Sequence, residues 1–190
     1  METQSFSRYG ITLLRLRRED NEILRSWRNN PYNAMQMREQ AGRKIGQEEQ
    51  KAWFERIKNS KNAFYFIAHY KNKPIGCLSI KNIDWDDLCG DPGSVFDSDF
   101  ADENPIIKFC CEFASHDFYF EKLKLDFTHT FVKNSNKQAI RYNKFIGYEH
   151  LEKFDENGFS YFKLSSNKYF ETRNAALLTF RKVYGDTLGL

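Results

Sequence analysis

The chain predicts an α/β (α+β) fold: a mixed, mostly antiparallel sheet of about seven strands flanked by helices on both faces. Three observations lead there. The hydrophobic period switches between two residues and 3.6, giving the order β-α-α-β-β-β-α-β-α-β-β and then a final helix. Three strands in succession followed by strand-helix alternation suit a mixed sheet covered on both sides. The composition, 41% hydrophobic with 18 Phe and 10 Tyr in 190 residues, supplies a substantial core and excludes a disordered chain. That length predicts one domain over 1–190, with a core at about 10–165 and a C-terminal helix at about 169–184.

Residues 11–16 (ITLLRL) read as the first strand. A turn over 17–20 leads to a helix with Ile23, Leu24 and Trp27 at helical spacing, which stops near Asn30 because Pro31 disfavours a helical residue before it. A polar stretch with Met35 and Met37 follows. Gly46 then leads a second helix with Ala52, Trp53, Phe54 and Ile57 as its buried side. Residues 63–70 (AFYFIAHY) are too short and too aromatic a run for a helix and predict a strand. Lys71-Asn72-Lys73-Pro74 is a hairpin turn, and 74–83 form the third strand. The stretch 83–107 holds acids and no Lys or Arg. In it Gly90, Pro92 and Gly93 mark a loop, and 94–100 a fourth strand. Asn104 and Pro105 predict a helix start, Asn as cap and Pro at the first position. That helix runs through Phe109, Phe113, Phe120 and Leu123 to about Lys124.

Residues 125–148 (LDFTHTFVKNSNKQAIRYNKFIGY) begin with a half-buried strand, where Phe127, His129 and Phe131 alternate with Asp126, Thr128 and Thr130. Ser135 and Gln138 can form a capping box. Ala139, Ile140 and Ile146 give the helix an apolar side, and Gly147 suits a left-handed stop. Strands at 148–154 and 159–164, joined by a turn at 155–158, precede the last helix. This helix either caps the sheet or contacts a second subunit, which makes a homodimer one expectation.

Asn136 three residues before Ala139, with Gly147-Tyr148 closing the helix, resembles the last signature segment of the GCN5-related N-acetyltransferases (GNAT). The Pro74-Ile75-Gly76 turn resembles that fold's central hairpin, and the element order resembles it over about 10–165. Trp27-Arg28-Asn29, Ala52-Trp53-Phe54 and residues 120–125 resemble the branch acting on nucleotide-linked amino sugars. The ribosomal-protein and polyamine acetyltransferases share part of this pattern. The resemblance implies acetyl-coenzyme A as co-substrate and a small-molecule amine, best a nucleotide sugar, as acceptor. Two alternatives stay open: a GNAT fold kept as a non-catalytic binding module, or a protein N-terminal acetyltransferase, which needs a wider groove. Side chains of Ile106 or Phe131 plugging the cleft would favour the module.

Such a reaction must hold a pyrophosphate, take a proton from an amine and stabilise a thiolate. The family's Gln/Arg-x-x-Gly-x-Gly/Ala loop falls on Glu103, Ile106 and Lys108, and none matches. The expected substitute is the helix head itself, with Phe100, the amides of Ile106, Ile107 and Lys108, and Asn136 as cofactor contacts. Asp97 and Asp99, on one face of the fourth strand if it is regular, are candidate bases. Seven residues after Asn136, where the family places a Tyr, stands Asn143. Tyr142 comes one residue early, and both are candidates beside the thiolate. Arg28, Asn29 and Met37 fall on the acceptor-side wall. Of the four histidines, His129 lies beside the expected cleft, as a base or as an ordinary core or surface residue.

The net charge of +3 argues for neither nucleic acid nor a membrane surface. No apolar signal core or membrane-length run is present. Cys77, Cys89, Cys110 and Cys111 include no Cys-x-x-Cys pair, so neither zinc nor disulfides are expected, and reduced thiols in a cytoplasmic protein are. The acidic stretch lacks calcium-loop spacing, so no metal is expected.

Overall fold

The computed structural model describes residues 4–37, 40, 42–154 and 158–185. Among these residues eight strands form one sheet in the order β1-β2-β3-β4-β5-β6-β8-β7, one more than the sequence announces. The extra strand, β1 (Ser5–Arg8), pairs with β2 (Ile11–Arg15) across a turn in which Tyr9 and Gly10 take positive φ of 57° and 70°. Its only large apolar residue is Phe6, edge-on to Phe118 at 5.8 Å, so four residues give no period to read.

After α1 (Asn21–Asn29) the chain starts another helix, α2 (Pro31–Gln36), in place of the expected polar stretch. Asn30 accepts the amides of Tyr32 and Asn33, and Pro31 sits at the first position, where it gives up no bond. In α3 (Gln47–Ile57) Gln50 and Phe54 are the buried residues, and Ala52 is exposed rather than buried. β3 (Phe64–Tyr70) and β4 (Lys73–Asp84) are joined by Lys71 and Asn72, both at positive φ, as a two-residue hairpin requires. β4 is buried continuously over 75–80 because helices cover both its faces.

β5 (Cys89–Phe96) begins and ends earlier than the 94–100 expected, and Gly90, Pro92 and Gly93 lie inside it. A Cβ at Gly90 would come within 2.8 Å of the Ile80 side chain, so the sheet closes there only around glycine. α4 (Ser98–Glu103) follows, then α5 (Pro105–Asp117), which runs into a π turn, Phe118–Lys122. Asn104 precedes α5 without capping it; its Nδ2 donates to the Phe100 carbonyl at 3.0 Å.

β6 (Phe127–Lys133) buries Thr128 and Val132, leaving Phe131 on the exposed side. α6 (Lys137–Ile146) starts one residue after the expected capping box. Asn136, not Ser135, caps it by accepting the Ala139 amide at 3.0 Å. Gly147 ends it at φ 110°, with Thr172 Oγ1 2.8 Å from where a Cβ would stand. β7 (Glu149–Phe154), β8 (Phe159–Ser165) and α7 (Ser166–Tyr184) complete the chain. Of the turn expected at 155–158, residues 155–157 lie outside the described residues.

The larger core lies between the sheet and α5, α6 and α7; a smaller one, with Leu24, Trp27 and Phe54, lies under α1 and α3. Asp117, wholly buried at the end of α5, joins three elements. It accepts from Arg8 Nη1 at 2.7 Å, Tyr9 Oη at 2.6 Å, Tyr169 Oη at 2.8 Å, and Arg173 Nη1. The four cysteines are buried and free; burial pushes Cys77 and Cys110 up to about 12, which keeps them as thiols. Among the described residues no helix is long and apolar enough to cross a membrane.

Candidate active site

β5 and β6 pair in parallel only at Cys89–Phe127 and Gly90–Thr128, and then separate. The cause is readable from β5. The Asp97 amide donates to the Ile75 carbonyl at 3.1 Å, so by strand alternation odd-numbered residues aim their backbone at β4 and even-numbered ones at β6. Pro92 is even-numbered and has no N–H, so the next rung of the ladder cannot form. Beyond it the strand edge at Ser94 and Phe96 faces open space. A cavity of about 950 Å³ fills the gap, walled by β5, β6, α5 and α6.

Helix α2 reaches across the mouth. Tyr32 Oη donates to Gln138 Oε1 at 2.7 Å, and Asn136 Nδ2 donates to Gln36 Oε1 at 2.8 Å. Asn33 Nδ2 takes the Phe96 carbonyl at 3.0 Å, fixing α2 to the end of β5. Asn136 therefore caps α6 with one end of its amide and holds the roof with the other.

The residues singled out from sequence are distributed unevenly. Asp97 and Asp99 do not share a strand face, because the chain is helical from Ser98. Asp97 caps α4 by accepting the Phe100 amide at 3.2 Å and lies 3.4 Å from Trp27 Nε1; Asp99 is exposed on the cavity rim. Tyr142 stacks on Phe109 with centroids 4.5 Å apart and donates to the Lys108 carbonyl at 3.4 Å. Burial pushes its phenol well above the ordinary range. Asn143 lines the cavity, as do Lys108, Asn136 and Met37. Phe100, Ile106 and Ile107 turn their side chains to the core. Arg28 donates to Gln50 Oε1 and lies over the Trp53 ring, while Asn29 holds Ile45 by both backbone groups. Neither borders the cavity. His129 stacks on Tyr161 outside it. Phe131 borders the cavity, 39% exposed and edge-on to Tyr161, and leaves it open.

The sequence reading named Lys108 but not the polar stripe that it begins on α5. Lys108, Glu112 and His116 follow one another at four-residue spacing, and all three face the cavity. That spacing was the available signal, since the rest of this helix is almost wholly apolar. His116 is buried. Its Nδ1 lies 2.9 Å from the Glu112 carbonyl and its Nε2 2.9 Å from Tyr148 Oη, which in turn meets Thr128 Oγ1 at 2.8 Å. The carbonyl can only accept, so Nδ1 carries the hydrogen and Nε2 accepts from Tyr148. Burial lowers the imidazole from its ordinary 6.5 to about 4, so it is neutral at physiological pH. Burial also raises the Glu112 carboxyl, against smaller opposing effects of the Ser94 hydroxyl and Lys108.

No family model and no curated protein matches the chain in sequence. Solved structures do match it in shape. One is a candidate acetyltransferase, with TM-score 0.76 and 12% identity over 98% of both chains. Another is apo FdhC, a nucleotide-linked sugar GNAT, with TM-score 0.74 and 16% identity over 91% of this chain and 96% of that one. A third is spermidine N-acetyltransferase from Vibrio cholerae in complex with CoA and spermine, with TM-score 0.71 and 16% identity over 86% and 99%. Such identities establish shape: the chain has the GNAT fold.

Proposed function

We propose that the chain is an acetyl-coenzyme A-dependent N-acetyltransferase acting on the primary amine of a small acceptor, with a nucleotide-linked amino sugar as that acceptor. The observation that carries this reading is the rupture between β5 and β6, which leaves an unpaired strand edge along a cavity headed by a helix N-terminus. The N–H groups of Ser94 and Phe96 are placed to bond an extended arm, the Phe96 carbonyl being held by Asn33. The first turn of α5 lacks a side-chain cap, so the amides of Ile106 and Ile107 remain available to a diphosphate, and Lys108, Lys133 and Arg141 on the cavity wall offset Asp99 and Asp102. Acetyl-coenzyme A supplies an activated acetyl thioester; the protein positions the amine against it and manages the proton.

The roof supports a small acceptor over a polypeptide. Two hydrogen bonds tie α2 to α6 across the mouth, which narrows the groove that a protein N-terminus would need. The fold likeness to a nucleotide-linked sugar GNAT and the Trp27-Arg28-Asn29 pattern favour the sugar. Isothermal titration with acetyl-coenzyme A tests the first step, with saturable heat expected. No heat and no thermal shift at roughly millimolar cofactor would return the chain to a binding module. Acetylation of a UDP-linked amino sugar, compared with spermidine and an N-terminal peptide, tests the second.

A further inference from the structure

We infer that Glu112, which lines the cavity with Ser94 of the open strand edge, is the group that carries the amine's proton to the departing sulfur. The inference rests on the acetyltransferase reading and adds to it a residue that neither the motif nor the fold points to. The other candidates are already committed. Asp97 is a helix cap, Tyr142 donates to a backbone carbonyl, and Asn143 has no proton to deliver. His116 is neutral, with both ring nitrogens engaged.

Glu112 differs from all of these. It is 6% exposed, yet it borders the cavity together with Ser94, an exposed residue of β5 whose hydroxyl favours the charged carboxyl. Among the described residues no guanidinium or ammonium stands at ion-pair distance, and the one basic contact is His116 Nδ1, 3.9 Å from Oε2, whose hydrogen already points to a carbonyl. The groups whose charge or hydroxyl acts on the carboxyl are Lys108, Cys111 and His116 on α5, Tyr119 in the π turn, Ser94 on β5, Tyr142 on α6 and Tyr148 before β7. Of these only Lys108 is a cation, and its Nζ is held over the rings of Phe96 and Tyr142 at 5.4 and 4.7 Å. A carboxyl so placed is held above its ordinary range, where it can both take and return a proton.

The step balances without another reactant. A neutral amine enters. As its N–C bond to the acetyl carbonyl forms, its proton passes to the Glu112 carboxylate. As the C–S bond breaks, that proton passes to sulfur. The products are an amide and a thiol, with the carboxylate restored.

The test uses the full chain and three variants, E112Q, E112D and S94A. Acetyl-coenzyme A titration comes first: wild type and E112Q bind alike, and failure of the wild type to bind overturns the acetyltransferase reading itself. With a UDP-linked amino sugar or spermidine as acceptor, E112Q lowers kcat by roughly 100-fold or more at little-changed KM and loses the acid limb of the pH profile, and E112D restores part of the rate. S94A takes away an exposed hydroxyl that favours the charged carboxyl, so it moves the acid limb to higher pH. Difference infrared spectroscopy of wild type against E112Q needs no acceptor and shows one carboxyl titrating above the ordinary range. A folded E112Q with near wild-type kcat, an S94A limb that stays in place, or no such carboxyl in the infrared would each overturn the assignment.

Discussion

Helix α5 buries two carboxyls, Glu112 and Asp117, and they could hardly be treated more differently. Asp117 is surrounded by two guanidinium groups and two phenols drawn from the β1–β2 turn and from α7. Glu112, a turn and a half earlier and on the cavity side, has a serine hydroxyl and a cation committed to aromatic rings. A buried charge with all its lone pairs satisfied is an anchor; one left short of partners stores instability that chemistry can use.

The sharpest way to break the comparison is to give both residues the same neutral isostere. D117N removes the charge that two arginines face and lowers unfolding free energy by about 3–5 kcal/mol in urea titrations. E112Q leaves stability unchanged or raises it. The sign follows from linkage: a carboxyl raised in the folded state contributes fully below its unfolded value of 4.5 and loses that contribution as pH rises through the folded one. The gain from E112Q therefore grows as pH rises through the folded value. Equal losses in the two variants would make Glu112 a second anchor.

His116 sharpens the same contrast through pH. Its folded value of about 4, against 6.5 unfolded, means that the unfolded chain binds a proton first as pH falls. Stability is complete above 6.5 and declines through the window down to about 4, by about 3 kcal/mol in all. Over part of that window Glu112 acts in the opposite direction. H116Q, whose amide can still accept from Tyr148, should flatten this decline when unfolding is measured at pH 7 and 4.5. An unchanged slope would mean that His116 titrates normally.

The anchor and the poised group were not equally visible in the sequence. Element order, the hairpin at Lys71-Asn72 and the stop at Gly147 were legible because each depends on local period or on a φ that few residues accept. Strand β1 was not, since its hold comes from Arg8 and Tyr9 reaching a residue more than a hundred positions away. At the site, Lys108, Asn136, Met37 and Asn143 border the cavity. Asp97 and Asp99 did not keep a shared strand face, because Asp97 caps a helix that the acidic composition concealed. Pro92 was read as loop punctuation, yet it sits within the strand and ends the ladder with β6. Glu112 could have been found from its spacing to Lys108 and His116, but only the fold shows which face of that stripe meets the cavity.

The smallest expected effect concerns the roof. Asn136 has two jobs, and two variants separate them. N136A removes the cap of α6 and the tie to α2 together, and costs about 1 kcal/mol. Q36A keeps the cap and removes only the tie, one partly exposed hydrogen bond, so its cost stays within about 0.5 kcal/mol. If the roof contributes to holding ligand, both variants weaken acetyl-coenzyme A binding to a similar degree in titration calorimetry despite their different stabilities. Were affinity to follow stability instead, falling in N136A alone, the part of Asn136 that matters would be the helix start, and α2 would be a cover without a grip.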